Sequence, residues 1–600
     1  MKQILNPFQL SEVRLLPGLL KNRAELNRKY MMSLENENLL QNHYHEAGLW
    51  NPPFHPENCH WGWESPTCQI RGHFLGHWLS AAAKIYTANG DMEIKAKAEH
   101  IVSELGRCQK ENGGEWVGSI PEKYLYWIVE GKRVWAPQYT IHKSLMGLYD
   151  MYEYAGSEQA LEILEKAADW FVRWTGGLSQ EQMDRVLDVE TGGMLEVWAD
   201  LYAVTRRDEH LELMRRYDRR RLFDRLVAGE DALSNMHANT TIPEALGAAR
   251  AWEVTGEKRW RDIAEAYWRL AVTERGYFCT GGQTSGELWT EPFEFLPWLG
   301  DETQELCTVY NMIRLAEKLM TWTGDPAYAD YIERNLYNGI LAQQNGETGM
   351  PAYHLPLKPG AVKRWGSQTN DFWCCHGTML QSYSKNEGMI YYRDEEGIAV
   401  CQYFPSELNC KMEGTTLKLV QTGREPLDKY AVTNLEADRT IFPDSFSMNF
   451  EVSCGEPRDF TLKFRLPWWI SGTPVISVDG ERQEISQNER GFYHVQRTWK
   501  ADSISIEFPK KLSCSRLPDS PEMAAFMDGP IVLAGICDNE RTLHGNADSP
   551  ETMLRSYDDA LFKYLHRTYF TRNQAMNFQF IPLYAVKDER YTVYFPVKSI

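Results

Sequence analysis

The chain lacks several features that define membrane and nucleic-acid-binding proteins. None of its 600 residues belongs to an uninterrupted apolar run of 18 residues, so no transmembrane helix is predicted. It has no long run of Lys and Arg, and 64 basic against 83 acidic residues give a net charge of −19. Nucleic acids and anionic membranes bind clustered positive charge, so we expect neither as a partner.

A signal peptide and a disulfide framework are also missing from the sequence pattern. The first residues contain no apolar stretch long enough for a signal peptide, and the 12 cysteines are dispersed. We therefore expect a soluble cytoplasmic protein, in which neighbouring cysteines indicate metal binding or catalysis. The 43% apolar and 24% charged residues are typical of globular proteins, and this length predicts two or three structural units.

Helical periodicity dominates from about residue 10 to residue 390. Five amphipathic segments end at a small or turn-forming residue, and another helix is predicted about three residues later. These stops are Gly90, Gly156, Arg206, Gly256 and Gly324, at intervals of 50 to 68 residues. Glycine adopts a left-handed helix cap at no steric cost. Repeated helical hairpins must stack to bury their apolar faces, so we predict a closed (α/α)6 ring rather than an open solenoid.

Strand-like alternation replaces the helical pattern after residue 390. Segments such as Phe460–Leu466 and Ser503–Phe508 alternate apolar and polar residues between turn-forming residues. The predicted class is therefore an α+β multidomain protein. We expect an (α/α)6 barrel catalytic domain over residues 1–395, an antiparallel β-sandwich over 396–520 and a β-rich region over 521–600.

Three cysteines and one glutamate offer the donor set of a tetrahedral zinc site. They are Glu305 and Cys307 in one segment, and Cys374 with Cys375 in another. Residues i and i+2 diverge in a regular helix, so the first pair shares a metal only at a helix start or in irregular backbone. On spacing alone, unrelated buried thiols are the favoured alternative, and a vicinal disulfide is a third reading.

Local sequence suggests how each pair is positioned. Asp301 and Gln304 resemble a capping box, which predicts a helix start nearby. Adjacent cysteines face opposite ways in an extended strand, so Cys374 and Cys375 require a tight turn for chelation. Gly377 favours such a turn.

Carboxylates are dense beside a long predicted loop between residues 271 and 305. They are Glu287, Glu291, Glu294, Asp301, Glu302 and Glu305. Glycoside hydrolysis usually requires two carboxylates, one of them a proton donor. Glu287 is the best local candidate because its neighbours Leu288 and Trp289 would raise its pKa by desolvation. The alternative is a solvated acidic loop.

Histidines occur as a pair at His73 and His77 and singly at His142 and His237. The pair has the i, i+4 spacing of metal ligands on one helix face, but no acidic residue completes a metalloprotease motif. We interpret these two histidines as hydrogen-bonded core or pocket residues.

Four ordered segments resemble the signatures of glycoside hydrolase family 127. They are Glu305–Met312, Tyr331–Asn338, Tyr353–Leu357 and Phe372–Cys375. Characterised members of that family include β-L-arabinofuranosidases. The resemblance implies an (α/α)6 catalytic barrel with β-sandwich domains, retaining hydrolysis, and a Zn²⁺ ion held by one glutamate and three cysteines.

The resemblance also implies roles for individual residues. The implied zinc ligands are Glu305, Cys307, Cys374 and Cys375, with Cys374 acting also as the nucleophile. Glu287 matches the general acid/base, Glu333 and Tyr353 match sugar-contacting positions, and His142 and His237 fall in pocket-lining segments. The stretch from Glu287 to Glu305 is slightly longer than in the arabinofuranosidases of that family, which leaves Glu291 or Glu294 as alternative acids.

The predicted function is retaining hydrolysis that releases terminal β-L-arabinofuranosyl residues from small oligosaccharides. One alternative keeps the fold but acts on another rare plant-cell-wall sugar, with a structural zinc and two-carboxylate catalysis. Another is a non-catalytic sugar-binding protein. A homodimer is also predicted, from the chain length and the irregular C-terminal sequence.

Overall fold

The computed structural model describes residues 3–49, 59–412, 414–423, 445–485, 491–556 and 568–599. Helices dominate up to Ser382, and strands dominate from Tyr391 onward, so a helical N-terminal domain precedes a sheet-rich region. No helix within these ranges combines the length and apolarity needed to cross a bilayer.

The helices of the described residues are numbered in chain order. They are α1 (Leu19–Ser33), α2 (Asn36–Glu46), α3 (His73–Asn89), α4 (Met92–Glu111), α5 (Lys123–Val129), α6 (Pro137–Ala155), α7 (Glu158–Gly176), α8 (Gln180–Leu187), α9 (Met194–Thr205), α10 (Asp208–Arg216), α11 (Arg220–Val227), α12 (Ala238–Thr255), α13 (Lys258–Trp268), α14 (Leu306–Thr323), α15 (Pro326–Asn335) and α16 (Cys374–Ser382).

The strands are numbered in the same way. They are β1 (Asn6–Pro7), β2 (Val13–Leu15), β3 (Thr284–Ser285), β4 (Leu288–Trp289), β5 (Tyr391–Arg393), β6 (Gly397–Val400), β7 (Ser406–Met412), β8 (Thr415–Gly423), β9 (Ser445–Leu466), β10 (Val475–Val478), β11 (Glu481–Arg482), β12 (Gly491–Pro509), β13 (Leu512–Leu517), β14 (Ser520–Asp528), β15 (Ile531–Gly535), β16 (Leu543–His544), β17 (Leu554–Ser556), β18 (Tyr569–Thr571), β19 (Gln579–Pro582) and β20 (Tyr594–Lys598).

Six helices contact one another in a closed circuit. In order around the circuit they are α3, α6, α9, α12, α14 and α16, and α16 packs against α3. Helices α4, α7, α10, α13 and α15 each pack against the circuit helix that precedes them in the chain. Helix α3 is buried on all sides from His73 to Ile85, whereas α7 buries one stripe, so the circuit lies inside and its partners lie outside.

The five stops expected from the sequence are the C-caps of α3, α6, α9, α12 and α14. All five have left-handed backbone, with φ of 68°, 69°, 55°, 72° and 70° at Gly90, Gly156, Arg206, Gly256 and Gly324. This prediction is confirmed, and Arg206 shows that one repeat accepts the cost of a side chain at this position. Each cap ends one circuit helix and starts the connection to its outer partner.

Two large sheets form the rest of the described chain. In the first, the long strands β9 and β12 pair antiparallel, with a bulge between Trp499 and Ala501. Strands β1 and β2, from the N-terminus, join this same sheet through β5 and β7. Its pairing is antiparallel as expected, except that β6 runs parallel to β9. The second sheet contains β13 to β20. The sandwich and the domain boundaries at 395/396 and 520/521 stay predictions.

A buried ion-pair network joins α15 to the first sheet. Arg465 of β9 is fully buried, and its guanidinium donates to Asp330 and, over 2.9 Å, to Glu333 Oε1. The indole of Trp469 donates to Glu333 Oε2 over 2.8 Å. Both oxygens of Glu333 therefore have partners within this interface. The sugar-contacting role of Glu333 stays a prediction, and in this structure its carboxylate pairs with Arg465.

Removal of Glu333 tests the importance of this network. Glu333→Ala leaves the buried Arg465 guanidinium with Asp330 as its remaining carboxylate partner, and breaking a buried ion pair costs about 3–5 kcal/mol. We expect the midpoint of chemical unfolding to fall clearly. The control Asp548→Ala removes an exposed pair with Arg516, in which the aspartate is 79% exposed, and should change stability by less than about 1 kcal/mol. Equal effects of the two substitutions would contradict this assignment.

Candidate active site

The four predicted metal donors meet at the starts of two neighbouring circuit helices. Glu305 is the N-cap residue of α14 and Cys307 lies in its first turn. Cys374 and Cys375 are the first two residues of α16. The helix start near residue 304 is confirmed, but the capping box is wrong. Gln304 has φ of +51°, and its side-chain oxygen accepts from Gly282 N over 3.1 Å.

The adjacent cysteines converge through a helix start rather than through a tight turn. Successive residues project about 100° apart around a helix axis, so neighbouring side chains at its first turn can both approach one point. The expected turn at Gly377 is wrong, because Gly377 lies within α16. A Cβ atom there would lie 2.3 Å from the His77 ring. Glycine at this position thus permits the close packing of α16 on α3.

The donor atoms lie close enough to one another to share one metal ion. The Sγ atoms of Cys307 and Cys375 are 3.5 Å apart, and those of Cys374 and Cys375 are 3.8 Å apart. Cys374 Sγ lies 3.5 Å from Glu305 Oε1, and one ligand atom from each of the four residues falls within 4.8 Å of the others. Zn–S bonds of about 2.3 Å place tetrahedral sulfur atoms about 3.8 Å apart. The donors therefore fit Zn²⁺.

The chemistry of the cluster favours a cation over isolated thiols. Glu305 Oε2 is buried with no hydrogen-bond partner among the described residues. Burial raises the pKa of all three thiols well above the ordinary value and raises that of Glu305 to about 7. A divalent ion reverses this effect and binds thiolates directly. The vicinal disulfide is wrong, since 3.8 Å between Cys374 and Cys375 far exceeds an S–S bond of about 2.05 Å.

Glu287 faces the cluster from the turn between β3 and β4. Its backbone is left-handed, with φ of +66°, and its carbonyl accepts from Ala238 N over 2.9 Å. Oε2 lies 3.2 Å from His237 Nε2, and Oε1 accepts a hydrogen bond from the Tyr353 hydroxyl. His237 is the N-cap residue of α12, the circuit neighbour of α14. Three consecutive circuit helices thus contribute to one site.

The expected rise of the Glu287 pKa is wrong. Leu288 is exposed, and the buried indole of Trp289 instead donates to Thr241 Oγ1 over 3.3 Å. Burial does raise the Glu287 pKa, but hydrogen bonds from His237 and Tyr353 outweigh it and hold the pKa below the ordinary value. Burial lowers the His237 pKa, yet the Glu287 carboxylate reverses this and raises it to about 9. Glu287 and His237 therefore form an ion pair.

The Tyr353 hydroxyl connects the thiol cluster to this ion pair. It donates to Glu287 Oε1 and accepts from the Cys374 thiol over 3.7 Å. One hydroxyl oxygen thus lies between the sulfur of Cys374 and the carboxylate of Glu287. The sequence analysis did not predict this arrangement, and the sugar-contacting role of Tyr353 stays a prediction.

The remaining residues singled out in the sequence differ in burial and in their contacts. His142 is buried and lines a small cavity together with Cys307 and Cys374. The alternative acids point elsewhere, since Glu291 accepts from Asn235 and Trp298, each over 3.1 Å, and Glu294 is exposed. His73 and His77 are buried and hydrogen-bonded, to Phe372 O over 3.0 Å and Gln381 Oε1 over 2.6 Å, in accordance with the sequence interpretation.

Two charged residues near the site were missed by the sequence analysis. Lys143 lines the same cavity, with its Nζ 4.8 Å from the Tyr139 ring centroid, and burial lowers its pKa to about 8. Burial raises the pKa of Glu190, which interacts electrostatically with His237 and Lys143. The sequence signal was the position of Lys143 directly after His142.

Comparisons with known proteins agree with this site. Residues 12–388 match the GH127 catalytic domain of β-L-arabinofuranosidases, and residues 397–510 match the GH127 middle domain. The chain is 22% identical over 520 residues to the non-reducing end β-L-arabinofuranosidase of Bifidobacterium longum subsp. longum, covering 76% of this chain and 74% of that protein.

Solved structures show the same fold. A GH127 β-L-arabinofuranosidase from Geobacillus stearothermophilus T6 aligns with a TM-score of 0.71 at 19% identity, covering 98% of this chain and 100% of that chain. A second GH127 β-arabinofuranosidase aligns with a TM-score of 0.75 at 17% identity, covering 99% and 98%.

The helical domain, the sheet-rich region and the family match define a glycoside hydrolase. The chain belongs to glycoside hydrolase family 127, whose catalytic and middle domains together span most of its length. This assignment sets aside the non-catalytic sugar-binding alternative. The sequence resemblance is thereby confirmed at the level of the family and the enzyme class.

Proposed function

We propose that the protein is a retaining β-L-arabinofuranosidase with Cys374 as nucleophile and Glu287 as general acid/base. The observation that supports this best is the Tyr353 hydroxyl, which contacts both the Cys374 sulfur and the Glu287 carboxylate. Retaining enzymes hold their two catalytic groups about 5–5.5 Å apart, and inverting enzymes about 6.5–9.5 Å apart. Two groups separated by one hydroxyl oxygen suit the retaining arrangement.

The proposed architecture places this site at one end of an (α/α)6 barrel. The closed circuit of α3, α6, α9, α12, α14 and α16 would form the inner ring, with the partner helices outside. The first sheet would supply the sandwich behind it. Short oligosaccharides are the proposed substrates, while the homodimer and the cytoplasmic location stay predictions from the sequence.

Glu305, Cys307, Cys374 and Cys375 would hold the proposed Zn²⁺. When bound, the ion keeps these thiols deprotonated near neutral pH, and the thiolate is the nucleophilic form of cysteine. The buried, unpartnered Glu305 Oε2 and the short sulfur separations support this ligand set. In the alternative mechanism the zinc is purely structural. The four ligands are then the same, but Cys374 is a ligand only and not the nucleophile.

In the first chemical step, the Cys374 sulfur attacks the anomeric carbon, and the bond to the leaving oxygen breaks. The Glu287–His237 pair supplies one proton to that oxygen through the Glu287 carboxyl. In the second step, water attacks the same carbon, Glu287 accepts its proton, and the C–S bond breaks to restore the thiolate. Two inversions give net retention.

Substitution of the nucleophile tests this mechanism. Cys374→Ser replaces a thiolate by a hydroxyl with a far higher pKa, so we expect turnover of an aryl β-L-arabinofuranoside to fall at least about a thousandfold. Three remaining donors suffice to bind zinc, so elemental analysis should still find the metal. The control Cys514→Ser, a half-buried cysteine of β13, should leave both values unchanged. A zinc-loaded Cys374→Ser enzyme with normal turnover would instead support structural zinc and two-carboxylate catalysis.

The pH dependence tests the role of His237. With the His237 pKa near 9, the pair retains its proton through neutral pH and loses it as pH rises through about 9. In His237→Gln only the Glu287 carboxyl can hold that proton, so the alkaline limb of the kcat/KM profile should move at least about one pH unit lower. The control His544→Gln, on β16, should leave the profile unchanged. An alkaline limb that stays in place would contradict proton storage by this pair.

A further inference from the structure

A series of aromatic rings leads from Tyr353 to the protein surface. The Trp63 ring centroid lies 6.1 Å from that of Tyr353, and the Trp135 centroid lies 5.0 Å from that of Trp63. The interplanar angles of these two contacts are 73° and 78°, so each ring meets the next edge to face. Trp135, at the outer end, is 44% exposed.

The loop that carries Trp63 is fixed to the segment that leads into Cys374. Trp61 N donates to Thr369 O over 3.0 Å, and Trp63 N donates to Asp371 O over 2.9 Å. Gly62 between them has φ of +63°, and a Cβ atom there would lie 2.3 Å from Asp371 O. Only glycine allows this approach, so the position of Trp63 is set relative to the start of α16.

A buried carboxylate fixes the other side of the same loop. Glu64 accepts hydrogen bonds from the backbone of Gly72, over 2.6 Å, and Phe74, over 2.9 Å, at the start of α3. Asn42 donates to it as well, over 2.9 Å. A carboxylate at a helix N-terminus is stabilised by the helix dipole. Trp63 is therefore held between α3 and the segment before α16.

Trp135 is held at the start of α6. Its backbone N donates to Gln69 Oε1 over 2.9 Å. The next residue, Ala136, caps α6 with left-handed backbone at φ of +41°. Such a conformation costs a non-glycine residue about 1–2 kcal/mol and persists where the surrounding structure imposes it. The exposed indole is thus presented by an ordered backbone at the end of the helix that carries His142.

We propose that Trp135, supported by Trp63, is the stacking platform for the sugar on the leaving-group side of the scissile bond. This inference rests on the proposed function, because Tyr353, between nucleophile and acid, marks where that bond lies. The apolar faces of sugar rings pack on indole rings. A site next to the cleaved sugar would therefore bind neutral glycosyl or aromatic leaving groups. A methyl group is too small to stack on the indole, so the site would contribute little to the binding of a methyl glycoside.

The experiment compares two glycosides with the same terminal sugar. One is methyl β-L-arabinofuranoside, and the other is a disaccharide with β-L-arabinofuranose at its non-reducing end. We expect Trp135→Ala to lower kcat/KM for the disaccharide about tenfold and to change that for the methyl glycoside less than about twofold. Trp135→Phe should restore most of the disaccharide activity, because a phenyl ring still stacks. Inhibition by the free leaving-group sugar should weaken in parallel.

Tyr126→Ala provides a matched control. Tyr126 is 49% exposed, and its ring contacts Trp170 of α7, outside the series that ends at Tyr353. This variant should hydrolyse both glycosides at the wild-type rate. Equal disaccharide kinetics for Trp135→Ala and wild type, or equal losses on both glycosides, would overturn the platform. Failure of the wild-type enzyme on both glycosides would instead refute the proposed function itself.

Discussion

The active site depends on the convergence of four acidic donors inside the protein. Three thiols and one carboxylate lie within 4.8 Å of one another and are almost fully buried. Burial by itself raises every one of their pKa values, so the ionised cluster requires a compensating positive charge. A divalent ion would supply that charge, and the positive N-terminal ends of α14 and α16 would reinforce it. The proposed nucleophile, Cys374, is also a proposed metal ligand, so the same ion would bind the cluster and keep this thiol ionised.

The circuit of helices explains why the site forms at one end of the helical domain. His237 caps the N-terminus of α12, Glu305 caps that of α14, and Cys374 begins α16, and these three helices are neighbours in the circuit. The left-handed caps at the opposite ends return the chain to the outer helices. A short local pattern, repeated along the chain, thus gathers residues that are far apart in sequence.

Local features could be predicted from the sequence, and long-range contacts could not. The helix stops follow from single residues such as Gly156, and the donor set follows from residue type. The direction of the Glu287 pKa depends on His237 and Tyr353, 50 and 66 residues away, which no local pattern indicates. Glu333 matches a family segment, yet its carboxylate pairs with Arg465 at a separation of 132 residues. Gly377 suggested a turn, but it lies within α16, where the absence of a side chain allows this helix to pack closely on α3.

The most direct test of this account is X-ray absorption spectroscopy at the zinc edge on the purified holoenzyme. We expect one zinc per chain with three sulfur neighbours at about 2.3 Å and one oxygen neighbour at about 2.0 Å. A shell of nitrogen and oxygen atoms, or one with fewer than three sulfur atoms, would show that the buried thiols do not surround the ion and would contradict the central claim.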